Sequence, residues 1–115
     1  MITIEREVNV SLKRLNKIFF FVTTLLEDLN LTKMKVVIVS STEMGSMNAD
    51  GLCCCSGRID IVNKRDPRDL FLTIAHELRH AYQFSNNWSM NNIKMEERDA
   101  EQYESKAFNK FKHII

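Results

Sequence analysis

His76-Glu77-Leu78-Arg79-His80 carries the residue types in this chain that are best spaced to do chemistry. On a helix, the four-residue step from His76 to His80 places both imidazoles on one face, about one turn apart. A single ion can then take a nitrogen from each. In H-E-x-x-H sites the glutamate is not a ligand; it accepts a proton from the water that the metal activates. The chemistry expected is zinc-dependent hydrolysis, with His76 and His80 as metal ligands and Glu77 as general base. The chain holds only 3 His, and by chance this string would arise on the order of once in a few hundred chains of such composition.

Two histidines leave a catalytic zinc one protein ligand short. The last helix of the chain carries Glu96, Glu97, Asp99, Glu101 and Glu104. Glu97 stands three residues before Ala100, at the edge of that helix's apolar stripe, and Ala100 is small enough to let two helices approach. Glu104 occupies a similar edge two turns on and is the alternative third ligand. Glu96 and Asp99 read as a solvated face. Glu101 is a candidate hydrogen-bond partner for a ligand histidine.

The elements that must hold these residues follow from periodicity and capping. Residues 9–30 read as a helix, with Val8, Leu12, Leu15, Phe19, Val22, Leu26 and Leu29 as its core stripe. Asn9 or Ser11 can cap its start and Asn30 its end. Residues 34–40 are β-branched and read as a strand, and 41–50 as a loop. Residues 52–55 and 58–63 flank Ser56-Gly57 and read as a hairpin. Asp66, Pro67 and Asp69 start the histidine-bearing helix, which runs to about Phe84. On it Phe71, Ile74, Ala75, Leu78, Ala81 and Tyr82 form the core face, and the histidines project roughly opposite. Residues 85–92 form a polar loop with the only Trp, Trp88, expected to pack under that loop. The last helix spans about 94–112, with Ala100, Tyr103, Ala107 and Phe111 inward. The expected order is helix, strand, strand, strand, helix, helix: an α+β fold with an N-terminal helix and a small three-stranded sheet in one domain, residues 1–115.

Formal net charge is +1 over 115 residues, and acids are interleaved with bases. This offers no basic stripe for phosphates, so no direct nucleic-acid partner is expected. The start, Met-Ile-Thr-Ile-Glu-Arg-Glu, lacks the order of a signal peptide, and the apolar run 18–26 falls short of the ~20 residues that cross a bilayer. The expected partner is a peptide or protein substrate, with no membrane, in the cytoplasm. Cys53, Cys54 and Cys55 are odd in number and contiguous, which fits packing in a strand under reducing conditions and not a disulfide framework.

Thr73-Ile74-Ala75-His76-Glu77-Leu78-Arg79-His80-Ala81-Tyr82-Gln83, followed by Glu97-Arg98-Asp99-Ala100-Glu101-Gln102-Tyr103, resembles the gluzincin metallopeptidases. It is most similar to small bacterial and phage-borne proteins with an A-H-E-L-R-H-x-x-Q core. More distantly it resembles SprT-like proteins and the peptidases that cleave phage-type repressors. The likeness covers mainly residues 58–104. It implies a minimal zincin-like domain, Zn2+ as cofactor, His76, His80 and Glu97 as metal ligands, and Glu77 as the catalytic base. It also implies that the edge strand along the active-site helix is 58–63. The larger members have a second subdomain that this sequence lacks. A zinc-binding regulatory or protein-interaction module without hydrolysis is therefore the alternative. Tyr82, Tyr103, Arg79 and His113 are candidates for stabilising an oxyanion.

Overall fold

A strand with too little apolar pattern to be expected opens the structure, a computed structural model describing residues 2–40, 50–55, 57–88 and 92–114, with the backbone alone at 54 and 55. The elements are β1 (Ile2–Arg6), α1 (Leu12–Asp28), β2 (Met34–Val39), β3 (Gly51–Cys55), β4 (Arg58–Val62), α2 (Pro67–Ser85) and α3 (Ile93–Phe111), closed by a 3-10 turn at Lys112–Ile114. The fold is α+β, but the sheet has four strands in the order β1-β2-β4-β3 instead of the expected three. β1 pairs in parallel with β2 through Ile2↔Met34 and Ile4↔Val36. Its apolar alternation is only two isoleucines long, which is too short to stand out by period alone. Most of the expected 41–50 loop, and residues 89–91 of the 85–92 loop, lie outside the described residues.

β2 and β4 are parallel neighbours, and β3 returns antiparallel to β4 as the predicted hairpin. The order within that hairpin corrects the expectation for residues 58–63. β4 is interior and β3 is the edge strand. The cause is hydrophobicity. β4 buries Ile59 and Ile61 on one face and Val62 on the other, whereas β3 offers Gly51, Leu52 and Cys53, all only partly buried. An apolar arm buried on both faces belongs inside a sheet.

α1 and α2 pack on one face of the sheet, and α3 lies against α2 and α1 without touching a strand among the described residues. Their core joins Ile18, Phe21, Val22 and Leu25 of α1 to Val36, Ile38, Ile59 and Ile61 of the strands and to Leu70, Ile74 and Leu78 of α2. The stripe of α1 is rotated from the expected one: Leu12 is 73% and Phe19 45% exposed. The run Phe19-Phe20-Phe21-Val22 belongs to overlapping stripes. The helix buries the broader set at 18, 21, 22, 25 and 26, with its i, i+3, i+4, i+7, i+8 spacing.

Both ends of α2 are fixed locally. The Asp66 carboxylate accepts from the Arg68 N–H at 2.9 Å, and Pro67 supplies the first helical residue. Arg14 of α1 donates to Asn63 Oδ1 at 2.8 Å, to the Lys64 carbonyl, and to the Arg65 carbonyl at 2.9 Å, which pins the β4–α2 turn. At the far end Asn87 takes φ 57°. The Trp88 N–H then reaches the Gln83 carbonyl at 3.0 Å and the Asn87 N–H reaches the Phe84 carbonyl at 3.2 Å. This is the Schellman closure that a left-handed residue permits. α1 ends the same way at Asn30, φ 55°. Among the described residues, no helix is long and apolar enough to cross a membrane.

Candidate metal centre

α2 and α3 run antiparallel, so each step toward the C-terminus of α3 meets a step back along α2. Glu96 and Asp99 meet Gln83, Glu97 meets His80 and His76, and Glu104 meets His76. The close approach this needs is provided by Ala100, fully buried between the helices, as its size suggested.

The three expected ligands converge. His76 Nε2 lies 3.2 Å from His80 Nε2. Glu97 Oε2 lies 3.2 Å from His76 Nε2, and Glu97 Oε1 lies 2.8 Å from His80 Nε2. A tetrahedral zinc with bonds of ~2.0–2.1 Å spaces its donors by about 3.3 Å, so the triangle has the size of one face of such a site. Among the described residues, no other group of three His, Cys, Asp or Glu side chains has metal-site spacing.

The surrounding hydrogen bonds fix which atoms face inward. His76 Nδ1–H donates to Glu104 Oε1 at 2.9 Å. His80 Nδ1–H donates to Gln83 Oε1 at 2.9 Å. The Gln83 amide cannot be reversed without loss, because its Nε2 donates to the Glu96 carbonyl and to Asp99 Oδ2, both at 2.9 Å. Both histidines are thereby held in the tautomer whose Nε2 is a lone pair. Two imidazole lone pairs and a carboxylate then face one another within hydrogen-bond distance. Three acceptors so placed repel unless a cation lies between them. This donor set fits zinc. Glu104 bonds the outer nitrogen of His76 and lies outside the donor triangle, and Glu101, the other candidate partner, is exposed.

The titration of the group reflects the same crowding. Burial lowers the proton affinity of His76, but the hydrogen bond with Glu104 and the charges of Glu77, Glu104 and Glu97 outweigh it and hold its pKa above the ordinary value. Burial lifts the Glu77 carboxyl above the usual carboxylate range, and the neighbouring imidazoles pull it only partly back.

Glu77 is wedged against the edge strand. In β3, Gly51 and Cys53 face the helices, and a Cβ at Gly51 would lie 2.8 Å from Glu77 Cγ, 2.8 Å from Thr73 Cγ2 and 3.2 Å from Glu77 Oε2. The sheet edge reaches Glu77 because residue 51 has no side chain. Gly51→Ala is expected to destabilise the fold by about 1–3 kcal/mol through overpacking and to displace the Glu77 carboxylate. Any zinc taken up by the donor triangle should be unaffected, because His76, His80 and Glu97 lie on α2 and α3. Urea unfolding together with elemental analysis checks this; an unaltered midpoint would show that β3 yields freely.

Other sequence candidates find different roles. Arg79 pairs with Asp99, Nε to Oδ2 at 2.6 Å, and lies over the rings of Tyr82, Tyr103 and Trp88 at 4.2, 5.1 and 5.9 Å. Burial raises the Asp99 carboxyl, but hydrogen bonds from Arg79 and Gln83 overcome this and hold it below the usual range. Asp99 is thus a structural anion and not part of a solvated face. Tyr103 donates to Asp28 Oδ2 at 2.8 Å; burial and that carboxylate raise its pKa strongly. Trp88 packs edge-on against Tyr82, with centroids 6.5 Å apart. Neither Arg79, Tyr82, Tyr103 nor His113 borders the clefts beside the donor triangle. Cys53 packs against the core, as expected of a strand thiol.

Two further features are not expected from the sequence. Gln83 fixes His80, and its signal is the three-residue step from a candidate ligand histidine on the same helix. Glu96, expected in solvent, is 8% exposed. It lies four residues before Ala100 and seven before Tyr103, in phase with the buried stripe. Compared with protein-family models, with curated proteins and with solved structures, the chain matches none.

Proposed function

We propose that the chain is a zinc-dependent metallopeptidase of the gluzincin type, a hydrolase built on a minimal zincin-like domain. The observation that carries this reading is the convergence of His76 Nε2, His80 Nε2 and Glu97 on one point, each ring locked with its lone pair inward, beside a buried glutamate that ligates nothing. Zinc held by these three residues supplies a Lewis acid for the scissile carbonyl and an activated water.

The chain's own residues supply the rest. Glu77 accepts the proton of the attacking water and returns it to the leaving amine. Its raised pKa suits an acceptor that must also give the proton back. Glu104 and Gln83 hold the two rings at fixed angles, and Gln83 is held in turn by Asp99 and the α3 backbone. β3, antiparallel to its neighbour and at the sheet edge, runs past Glu77 and provides a rail along which an extended peptide can be laid.

Protein purified without added metal is expected to hold about one zinc per chain by elemental analysis. Hydrolysis of an unstructured protein such as casein should stop with a chelator and return with zinc. A chain that neither holds nor takes up zinc overturns the reading. Stoichiometric zinc with no hydrolysis leaves the regulatory or protein-interaction module.

A further inference from the structure

Glu96 has a buried carboxylate that nothing in the metal centre uses. The residue is 8% exposed, and its Oε1 has no hydrogen-bond partner among the described residues. Its backbone is fully engaged: the N–H bonds the Asn92 carbonyl and its own carbonyl accepts from Gln83. The side chain alone is left over. A buried acceptor without a donor is disfavoured and rare in native proteins. Its place in the first turn of α3 helps to tolerate the charge, since helix N-termini favour anions, but it gives Oε1 no donor.

Glu96 lines a cleft of about 400 Å³ that opens on the metal centre. Glu77, His80 and Glu97 border the cleft on one side, and Leu52, Phe84 and Ile93 form an apolar rim. Phe84 and Ile93 are 53% and 69% exposed, large apolar side chains left beside a buried acid. A second cleft, beyond Glu77 and Glu97, is bordered by Asp50 and Glu104. Among the described residues, every charged side chain bordering either cleft, apart from the imidazoles, is an acid. That combination suits a long side chain with an aliphatic stem and a cationic end.

We infer that Glu96 is the specificity-determining residue of a substrate subsite that receives a lysine or arginine side chain, the stem lying against Leu52, Phe84 and Ile93 and the charged end donating to the cleft-facing side of the Glu96 carboxylate. Cleavage of the bound peptide rests on the peptidase reading; its capture does not. The substrate class is a basic peptide or an unfolded basic segment of a protein.

The test uses blocked hexapeptides in which one lysine is moved along an alanine frame, each paired with its norleucine counterpart. Affinity is measured by calorimetry on the metal-free protein and on the zinc-loaded Glu77→Gln variant. At one position lysine should bind about tenfold or more tighter than norleucine, the size of a charged hydrogen bond. Glu96→Gln should erase that preference and leave norleucine affinity and zinc content as they were; Glu96→Asp should retain part of it. Equal affinity across all pairs in the unmutated Glu96 background overturns the subsite whether or not the variants fold. A Glu96→Gln variant that weakens both members alike also overturns it. Lysine-selective binding without cleavage by the zinc-loaded protein removes the peptidase and keeps the subsite. Cleavage without lysine preference does the reverse.

Discussion

Glu77→Gln is expected to lower peptide hydrolysis about a hundredfold to ten-thousandfold, the range over which a positioned general base contributes, while zinc stays bound at the same stoichiometry. The side chain is nearly isosteric, so its place against Gly51 and Thr73 is preserved and only proton transfer is removed. None of the three converging donors belongs to Glu77, which is why metal content should not move. The measurement pairs single-turnover hydrolysis with elemental analysis of the same sample. Full turnover by the variant would take Glu77 out of the reaction.

Glu97→Ala carries the second large effect. It removes the carboxylate whose two oxygens reach both imidazoles. Loss of an outer hydrogen-bond partner of a ligand costs ~10–100-fold in metal affinity, and loss of the ligand itself should cost more. Glu104→Ala, which frees His76 Nδ1 but leaves all three donors, should stay within that range. Competition with a chromogenic chelator ranks the two variants. If Glu104→Ala is the more damaging, the ligand register on α3 is displaced by two turns.

Local signals carried much of this molecule into view. Asp66 and Pro67 mark the start of α2, and Asn30 ends α1 in the left-handed conformation that Asn tolerates. The four-residue histidine step and the position of Glu97 beside Ala100 placed the donor triangle. Relations between elements were harder to read. Each arm of the β3–β4 hairpin is a plausible edge strand until the burial of Ile59, Ile61 and Val62 is weighed against Gly51. Around α3, a residue seven positions from Glu97 is only about 20° out of phase, while one four positions on is about 40° out. Glu104 therefore meets His76 and Glu101 does not, a difference that emerges only when helix phase is followed over two turns. At Glu96 helix phase outweighs charge: the residue lies seven positions before Tyr103 and is buried although it is an acid.

The several roles of Gln83 bear on how the chain would drift under mutation. Its carbonyl closes the end of α2, its amide nitrogen ties α2 to α3, and its amide oxygen orients His80. If the proposed hydrolysis is correct, a lineage that abandoned it would still be constrained to keep this glutamine, since its loss loosens a helix pair. Glu77 has no comparable duty among the described residues, and it is the position free to decay first. In a descendant of this chain, persistence of Gln83 would record an intact scaffold, and persistence of Glu77 would, on the proposed function, record selection for turnover.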